Sequence, residues 1–294
     1  MSAPGLQSWR RRWAGLPFVL PYLCVFVLML VVPLAIGIYL STTRSDLFGI
    51  QEHVGMQNYT RLLADPVFRQ AVWNTFYFVL LTVPVMAVIG LLLALALNNT
   101  SRWAAVLRAI FFSSTVLSVT VVTLIWRLML VPDEGLTGVI ARALGQTPVA
   151  FLSDPDLAMP AVAVTTIWWG IGLPMVLFLA ALQQVPRELY EAAALDGASR
   201  LRMLWSITLP SIRRTLVLVC IVEIILQFQL FGQAHLMTGG GPNNSTRPVV
   251  LFIYETGWKQ WQLGYAAAAA QVLFGLIAVV AMAQYYFSSR REGA

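Results

Sequence analysis

Six stretches of this chain are long and apolar enough to cross about 30 Å of hydrocarbon as helices. They run from Leu16 to Leu40, Val72 to Leu97, Ala105 to Leu130, Met159 to Leu182, Thr215 to Met237 and Tyr265 to Phe287. In hydrocarbon each backbone N–H and C=O needs a partner inside the protein, which restricts spanning structures to helices and closed barrels. Runs of this length fit helices. Hydrophobic residues make up 59% of the 294 positions and charged residues 11%, outside the range of ordinary soluble domains. The expected fold class is therefore all-α, a polytopic membrane protein with six transmembrane helices. One domain covers residues 16–287, after a short anchor (1–15) and before a tail (288–294). The first apolar run is too long for a signal peptide's core and no small-residue cleavage site closes it. Pro33, Pro84 and Pro174 fall inside the spans, where neighbouring helices can satisfy the carbonyls they free.

The cations set a direction. Arg10, Arg11, Arg12, Arg102, Arg108, Arg187, Arg200, Arg202, Arg213, Arg214, Arg290 and Arg291 would share one side, leaving seven of the 19 Lys and Arg for the other. The richer side is expected to be cytoplasmic, so both termini and the loops 98–104 and 183–214 should face the cytoplasm. Ser8-Trp9-Arg10-Arg11-Arg12-Trp13 mixes rings with cations and reads as an interfacial anchor in contact with membrane lipid. The net charge of +6 does not indicate nucleic acid, because the arginines are spread over loop ends and form no long basic block.

The segment Pro186–Pro210, PRELYEAAALDGASRLRMLWSITLP, is polar and lies between long apolar runs. Pro186 suits the first turn of a helix, and Glu188 and Glu191 lie near its positive dipole end. Gly197 supplies a helix stop, Ser199 an N-cap for a second helix, and Pro210 its end. Leu201, Leu204, Trp205 and Thr208 give that second helix an apolar face. Glu191-Ala192-Ala193, Asp196-Gly197-Ala198-Ser199 and Ile207-Thr208-Leu209-Pro210 together resemble the EAA loop of ABC-importer permeases. The resemblance implies that Glu188, Glu191, Ala192, Ala193, Asp196 and Gly197 form a cytoplasmic helix–turn–helix that docks on an ATPase subunit. On residues alone, Glu191 can also simply pair with Arg187 on an exposed helix face.

Gly55-Met56-Gln57-Asn58-Tyr59, Asp65-Pro66-Val67-Phe68, Asn74-Thr75, Ile167-Trp168-Trp169, Thr238-Gly239-Gly240-Gly241-Pro242 and Gly264-Tyr265-Ala266-Ala267 follow in the order seen in the carbohydrate-importer branch of that family, which includes the maltose permeases. Membership would imply a bacterial inner-membrane subunit forming half of a solute pathway. Its implied partners are two ATP-binding subunits, a second, distinct permease subunit and an extracytoplasmic solute-binding protein. The expected solute is a sugar or sugar-like compound. No cofactor would be bound directly, since ATP would be used by the partner ATPase.

Catalytic residues and metal ligands are not expected. Gly239-Gly240-Gly241-Pro242 lacks the Gly-Lys-Ser/Thr of a phosphate loop. Cys24 and Cys220 fall in apolar runs, and His53 and His235 lack ligand spacing. The densest polar group inside an apolar run is Glu223, Gln227, Gln229 and Gln233. Polar side chains there face a bundle interior or a wet cavity, which makes them, with Trp168 and Trp169 as ring faces, candidates for a solute pathway. On a continuous helix Glu223 and Gln227 share one face and Gln229 and Gln233 another, about 100° away. The alternative is that these side chains bond across to a partner permease. An ion-coupled carrier built around Glu223, or a scaffold that transports nothing, are the competing classes.

Overall fold

Residues 16–289 are described by a computed structural model of the chain. The expected anchor over residues 1–15 and positions 290–294 of the expected tail lie outside them. Three helices are long and apolar enough to span a membrane unaided: Phe18–Ser41, Pro66–Leu97 and Leu263–Tyr286. Two further candidates are bent pairs, Arg102–Val116 with Val119–Met129 at 101° and Ala158–Gly170 with Gly172–Leu182 at 46°. The described residues thus hold three to five candidate spans. The expected straight helix from Thr215 to Met237 is divided instead. It runs from Arg213 to Phe228, opens at Gln229–Phe231 and resumes over Gly232–Met237. The chain is mostly helical but not wholly so, because Thr43–Asp46 and Gly49–His53 pair as an antiparallel hairpin.

The chain divides into two compact units. The first comprises the chain up to Leu62 with Ile253–Val272. Its helix from Leu16 passes through a π turn at Val27–Val31 and ends at Ser41. The wider turn precedes Pro33, whose ring cannot continue a regular ladder. No residue in the spanning window of this helix is buried within the chain. At its end Asn58 Nδ2 donates to the carbonyls of Ser41 (2.8 Å) and Thr43 (2.9 Å), and the Tyr59 and Ser41 hydroxyls bond at 2.7 Å. Any Cβ on Gly264 would collide with the Thr43 carbonyl oxygen, so only glycine fits there.

The second unit comprises Leu63–Phe252 and the chain from Leu273 onwards. Asp65 caps the helix Pro66–Leu97, its carboxylate accepting from the N–H groups of Val67 and Phe68, with Pro66 in the first turn. This 32-residue helix is about 48 Å long at 1.5 Å per residue. Phe78, Thr82, Met86, Gly90 and Ala94, each four residues apart, form its buried stripe. Gly90 allows Pro174 to pack on the backbone, since a Cβ there would lie 2.7 Å from the proline's own Cβ. Close approach through small residues is how helices associate where water supplies no driving force.

The loop after Met237 is tied back to this helix. Asn74 Nδ2 donates to the carbonyls of Asn244 (2.6 Å) and Arg247 (3.0 Å), and Thr75 Oγ1 accepts from the Val249 N–H at 3.0 Å. Within the loop the Thr238 and Thr246 hydroxyls bond at 2.7 Å, and Gly240 occupies φ +86° beside Leu251. Replacing Asn74 by Leu removes two bonds and strands two partly buried carbonyls. It is expected to destabilise the detergent-solubilised chain by about 1–3 kcal/mol, read as a lowered midpoint in thermal unfolding. An unchanged midpoint would show that the loop holds without this clamp.

Candidate functional site

A cavity of about 440 Å³ opens between apolar helices of the second unit, walled by Met86, Val119, Trp169 and the divided segment from Glu223 to Gln233. Glu223 is 1% exposed, and Gln227 donates to its Oε2 from Nε2 at 3.0 Å, as expected for a pair one turn apart. Gln229 closes the helix. Leu230 N–H reaches the Gln227 carbonyl in a tighter turn, and the Gln229 side chain donates to the Ile225 carbonyl at 3.1 Å. Gln229 and Gln233 therefore do not share a face of one continuous helix, contrary to the sequence expectation. All four polar side chains nevertheless line the same cavity.

The opposite wall is made by the two bent pairs. Leu117 is extended, and Ser118 caps the following helix by accepting from the Val121 N–H. The carbonyl that this bend frees at Leu117 accepts the indole Nε1–H of Trp169 at 3.1 Å, and Ser114 Oγ donates to the Trp169 carbonyl at the same distance. Gly172 lets this helix pair approach, because a Cβ there would stand 2.7 Å from the Phe111 carbonyl oxygen. Gly232 similarly meets Val119, 2.8 Å from a built Cβ. The two tryptophans separate. Trp169 lines the cavity, whereas Trp168 turns away to pack edge-on against Trp126, ring centroids 5.9 Å apart. Successive helical residues diverge by about 100°, so both rings could not face one solute. A carboxyl and three amides in this largely apolar cavity can grip hydroxyl groups, and Trp169, whose N–H is held by Leu117, offers a ring face; among the described residues no group of three or more His, Cys, Asp or Glu could hold a metal.

The polar segment folds as a helix at Arg187–Leu195, with Pro186 just before its first turn, and a second short helix at Arg200–Met203. Gly197 at φ +73° closes the first helix, with Gly197 N–H to the Ala194 carbonyl (3.1 Å) and Ala198 N–H to the Ala193 carbonyl (2.9 Å). This paired pattern is a Schellman motif, which requires the left-handed conformation glycine adopts freely. Ser199 caps the next helix through the Arg202 N–H, as expected. Pro210 does not end it. A π turn at Leu204–Thr208 widens the helix ahead of the proline, and the chain stays helical to Ser211. Tyr190 and Thr208 hydroxyls, 3.0 Å apart, join the two arms. Glu188, Glu191, Ala192, Asp196 and Gly197 are exposed and Ala193 is half-buried. Glu191 forms no ion pair with Arg187 or with any other described residue. Leu195, Leu201 and Trp205 are exposed apolar side chains on the same element.

A helical membrane protein with a polar cavity between bent helices and an exposed polar element has the architecture of a transport component. The chain belongs to the family of binding-protein-dependent transport system inner membrane components, which it matches over residues 62–293. It is 33% identical to the multiple sugar-binding transport system permease protein MsmF of Streptococcus mutans, over 96% of this chain and 97% of that one. It is also 33% identical to the sulfoquinovosyl glycerol transport system permease protein SmoG of Agrobacterium fabrum, over 92% and 91%. A chain of a bacterial ABC transporter involved in the import of the acidic polysaccharide alginate shares the fold, with a TM-score of 0.85 and 23% identity over 97% of this chain and 98% of that one. The relatives are named as permease proteins, and this chain is a transport subunit rather than an enzyme.

Trp169→Phe keeps a ring on the cavity wall and removes the donor at the bend. It should cost about 1–3 kcal/mol of stability, seen as a lower thermal midpoint, while Trp168→Phe, which keeps the contact with Trp126, should change it by less. Equal shifts for the two would show that the indole bond does not hold the bend.

Proposed function

We propose that this chain is the permease subunit of an ATP-driven importer and forms half of the pathway for a sugar or sugar-like solute. The observation that carries this reading is the 440 Å³ cavity, where Glu223, Gln227, Gln229 and Gln233 gather beside Trp169 between apolar helices. Amides and a carboxyl bond sugar hydroxyls, and an indole face suits the C–H groups of a sugar ring. The names of relatives lend support: MsmF belongs to a multiple sugar-binding system, and AraP of Bacillus subtilis to an arabinooligosaccharides transport system. The partners in this reading are a solute-binding protein outside, a second and distinct permease, and two ATP-binding subunits. A bacterial alginate ABC transporter is known in complex with an alginate pentasaccharide-bound periplasmic protein, which supports the first of these.

In the same proposal the domain spans residues 16–287 as six transmembrane passes, with the divided Arg213–Met237 segment serving as the fifth and both termini cytoplasmic. The loop 183–214 is the cytoplasmic coupling element, with Glu188, Glu191, Ala192, Ala193, Asp196 and Gly197 as its ATPase-facing residues. Support comes from the carboxylate of Glu191, which has no ion-pair partner within the described chain, and from the exposed Leu195, Leu201 and Trp205 beside it. Exposed apolar side chains rimmed by charge mark interaction surfaces.

Two measurements on the assembled importer test this. Glu191→Lys should lower solute-stimulated ATP hydrolysis about tenfold or more, because reversing an interfacial charge costs several kcal/mol, while the chain stays in the membrane. Wild-type stimulation in that variant would remove Glu191 from the coupling surface. Gln229→Leu and Gln233→Leu should each reduce sugar uptake about tenfold and alter preference among sugars, with assembly intact. Loss of assembly would instead assign these side chains to the contact with the second permease.

A further inference from the structure

We propose that the first unit carries a second saccharide-binding site, built from the hairpin, the helix Gln57–Ala64 and the segment Gln260–Tyr265. These residues enclose a cavity of about 510 Å³, a size that accommodates a small-molecule ligand. No residue of this cavity belongs to the cavity around Glu223, so the inference goes beyond the transport reading and does not depend on which solute crosses the membrane.

Three observations point to a ligand. Trp261 holds φ +58°, a left-handed conformation that a bulky side chain adopts only under strain. The strained residue is 43% exposed and lines the cavity, where a buried side chain would have explained the strain by packing. Second, Gln262 lines the cavity, and its Oε1 is buried with no hydrogen-bond partner among the described residues. A buried acceptor left unmade costs about 1–3 kcal/mol. Third, the Arg61 guanidinium lies 4.1 Å from the centre of the Tyr265 ring, and no carboxylate pairs with it among the described residues. Stacking fixes the plane of its donors without consuming them.

Several other polar groups of the lining are already engaged, and the ones that are not select the ligand's chemistry. Arg44 pairs with Glu52 at 3.0 Å, Asp46 accepts from Gln51, and Asn58 donates to two backbone carbonyls. What is left is one flat cation, one orphan acceptor, one indole ring and the side-chain amides of Gln57 and Gln260. Vicinal hydroxyls can accept from the guanidinium fork and donate to the amide oxygen, and the C–H face of a pyranose covers the indole. Glu52 neutralises Arg44 from outside the lining, and Arg61 and Asp46 balance, so a neutral hexose fits better than an anion.

The test uses the full chain in lipid nanodiscs and diazirine-bearing glucoside and galactoside probes, with labelled peptides mapped by mass spectrometry. Labelling is expected on peptides holding Arg44–Arg61 or Gln260–Tyr265, displaced by the corresponding free methyl glycoside. Trp261→Gly should reduce it about tenfold. Because glycine accepts φ +58° without strain, this variant should melt at or above the wild-type temperature, which separates a lost ligand from a lost fold. Gln262→Leu should reduce labelling as well. The proposal is overturned by undiminished labelling in Trp261→Gly, by labelling confined to Glu223–Gln233, or by no displaceable labelling from either glycoside. It is equally overturned if the solute-binding protein crosslinks to this cavity and the glycosides do not. Failure of sugar uptake in the assembled importer would sink the transport reading alone.

Discussion

A backbone carbonyl freed among apolar helices costs several kcal/mol unless a donor reaches it, and the bend at Leu117–Ser118 frees one. The Trp169 indole supplies that donor, while Ser114 returns a hydroxyl to Trp169's own carbonyl. These reciprocal bonds lock the sharp bend of one helix pair to the gentler bend of the other, and glycine at 172 keeps the two close enough to bond. The cavity depends on this arrangement. Two straight helices through Ala105–Leu130 and Met159–Leu182 would pack side by side along their length, and no wall would face the divided segment at Gln229–Phe231. The polar side chains of Glu223, Gln227 and Gln233 would then have no space to line. Irregular backbone at such depth is tolerated where it lines a cavity, and here the irregularity and the cavity share the same residues.

Much of this was legible in the sequence because hydrocarbon imposes a simple rule of length and apolarity. The three unbroken helices follow directly from that rule. Capping chemistry was equally readable: Ser199 before Arg200 and Gly197 as the left-handed stop both do in space what their residue types favour. What length and apolarity cannot register is a break inside an apolar run. The hydroxyl cluster Ser113, Ser114, Thr115 and Ser118, and the Gly170–Gly172 pair, carried that signal, and hydropathy averages it away. The Gln229–Phe231 opening had a weaker cue, a polar residue followed at Gly232 by a glycine. The hairpin at Thr43–His53 was missed because only nine residues form strands and one face has no apolar alternation to detect.

The family-like motifs divide into two physical kinds. Asn58, Asn74, Gly240 and Gly264 touch backbone. They satisfy carbonyls or let chains approach, and no solute is needed to explain why those residue types stand there. The element around Glu191 is of the other kind. Its internal bonds, the Schellman turn and the Tyr190–Thr208 contact, fix its own shape, yet Glu191 and the apolar Leu195, Leu201 and Trp205 gain nothing from that shape within this chain. A side chain that is well held but unsatisfied carries more functional information than one that is merely well held.

The same criterion separates Glu223 from Trp261. Glu223 is buried, but Gln227 satisfies part of its carboxyl, and both line the cavity. Its burial therefore has a local partner in Gln227. Trp261 lacks such an account. Its strained backbone conformation is not offset by burial, since the residue stays 43% exposed, nor by a partner for the neighbouring Gln262 oxygen. Strain of this kind persists only where surrounding structure enforces it. Here the enforcing contacts are short-range and backbone-borne: Gln260 N–H on the Glu255 carbonyl and Gln262 N–H on the Thr256 carbonyl clamp the residue between them. A chain needing only a connection between Lys259 and the helix at Leu263 would place glycine at this position. The tryptophan costs stability that a ring-binding ligand can restore.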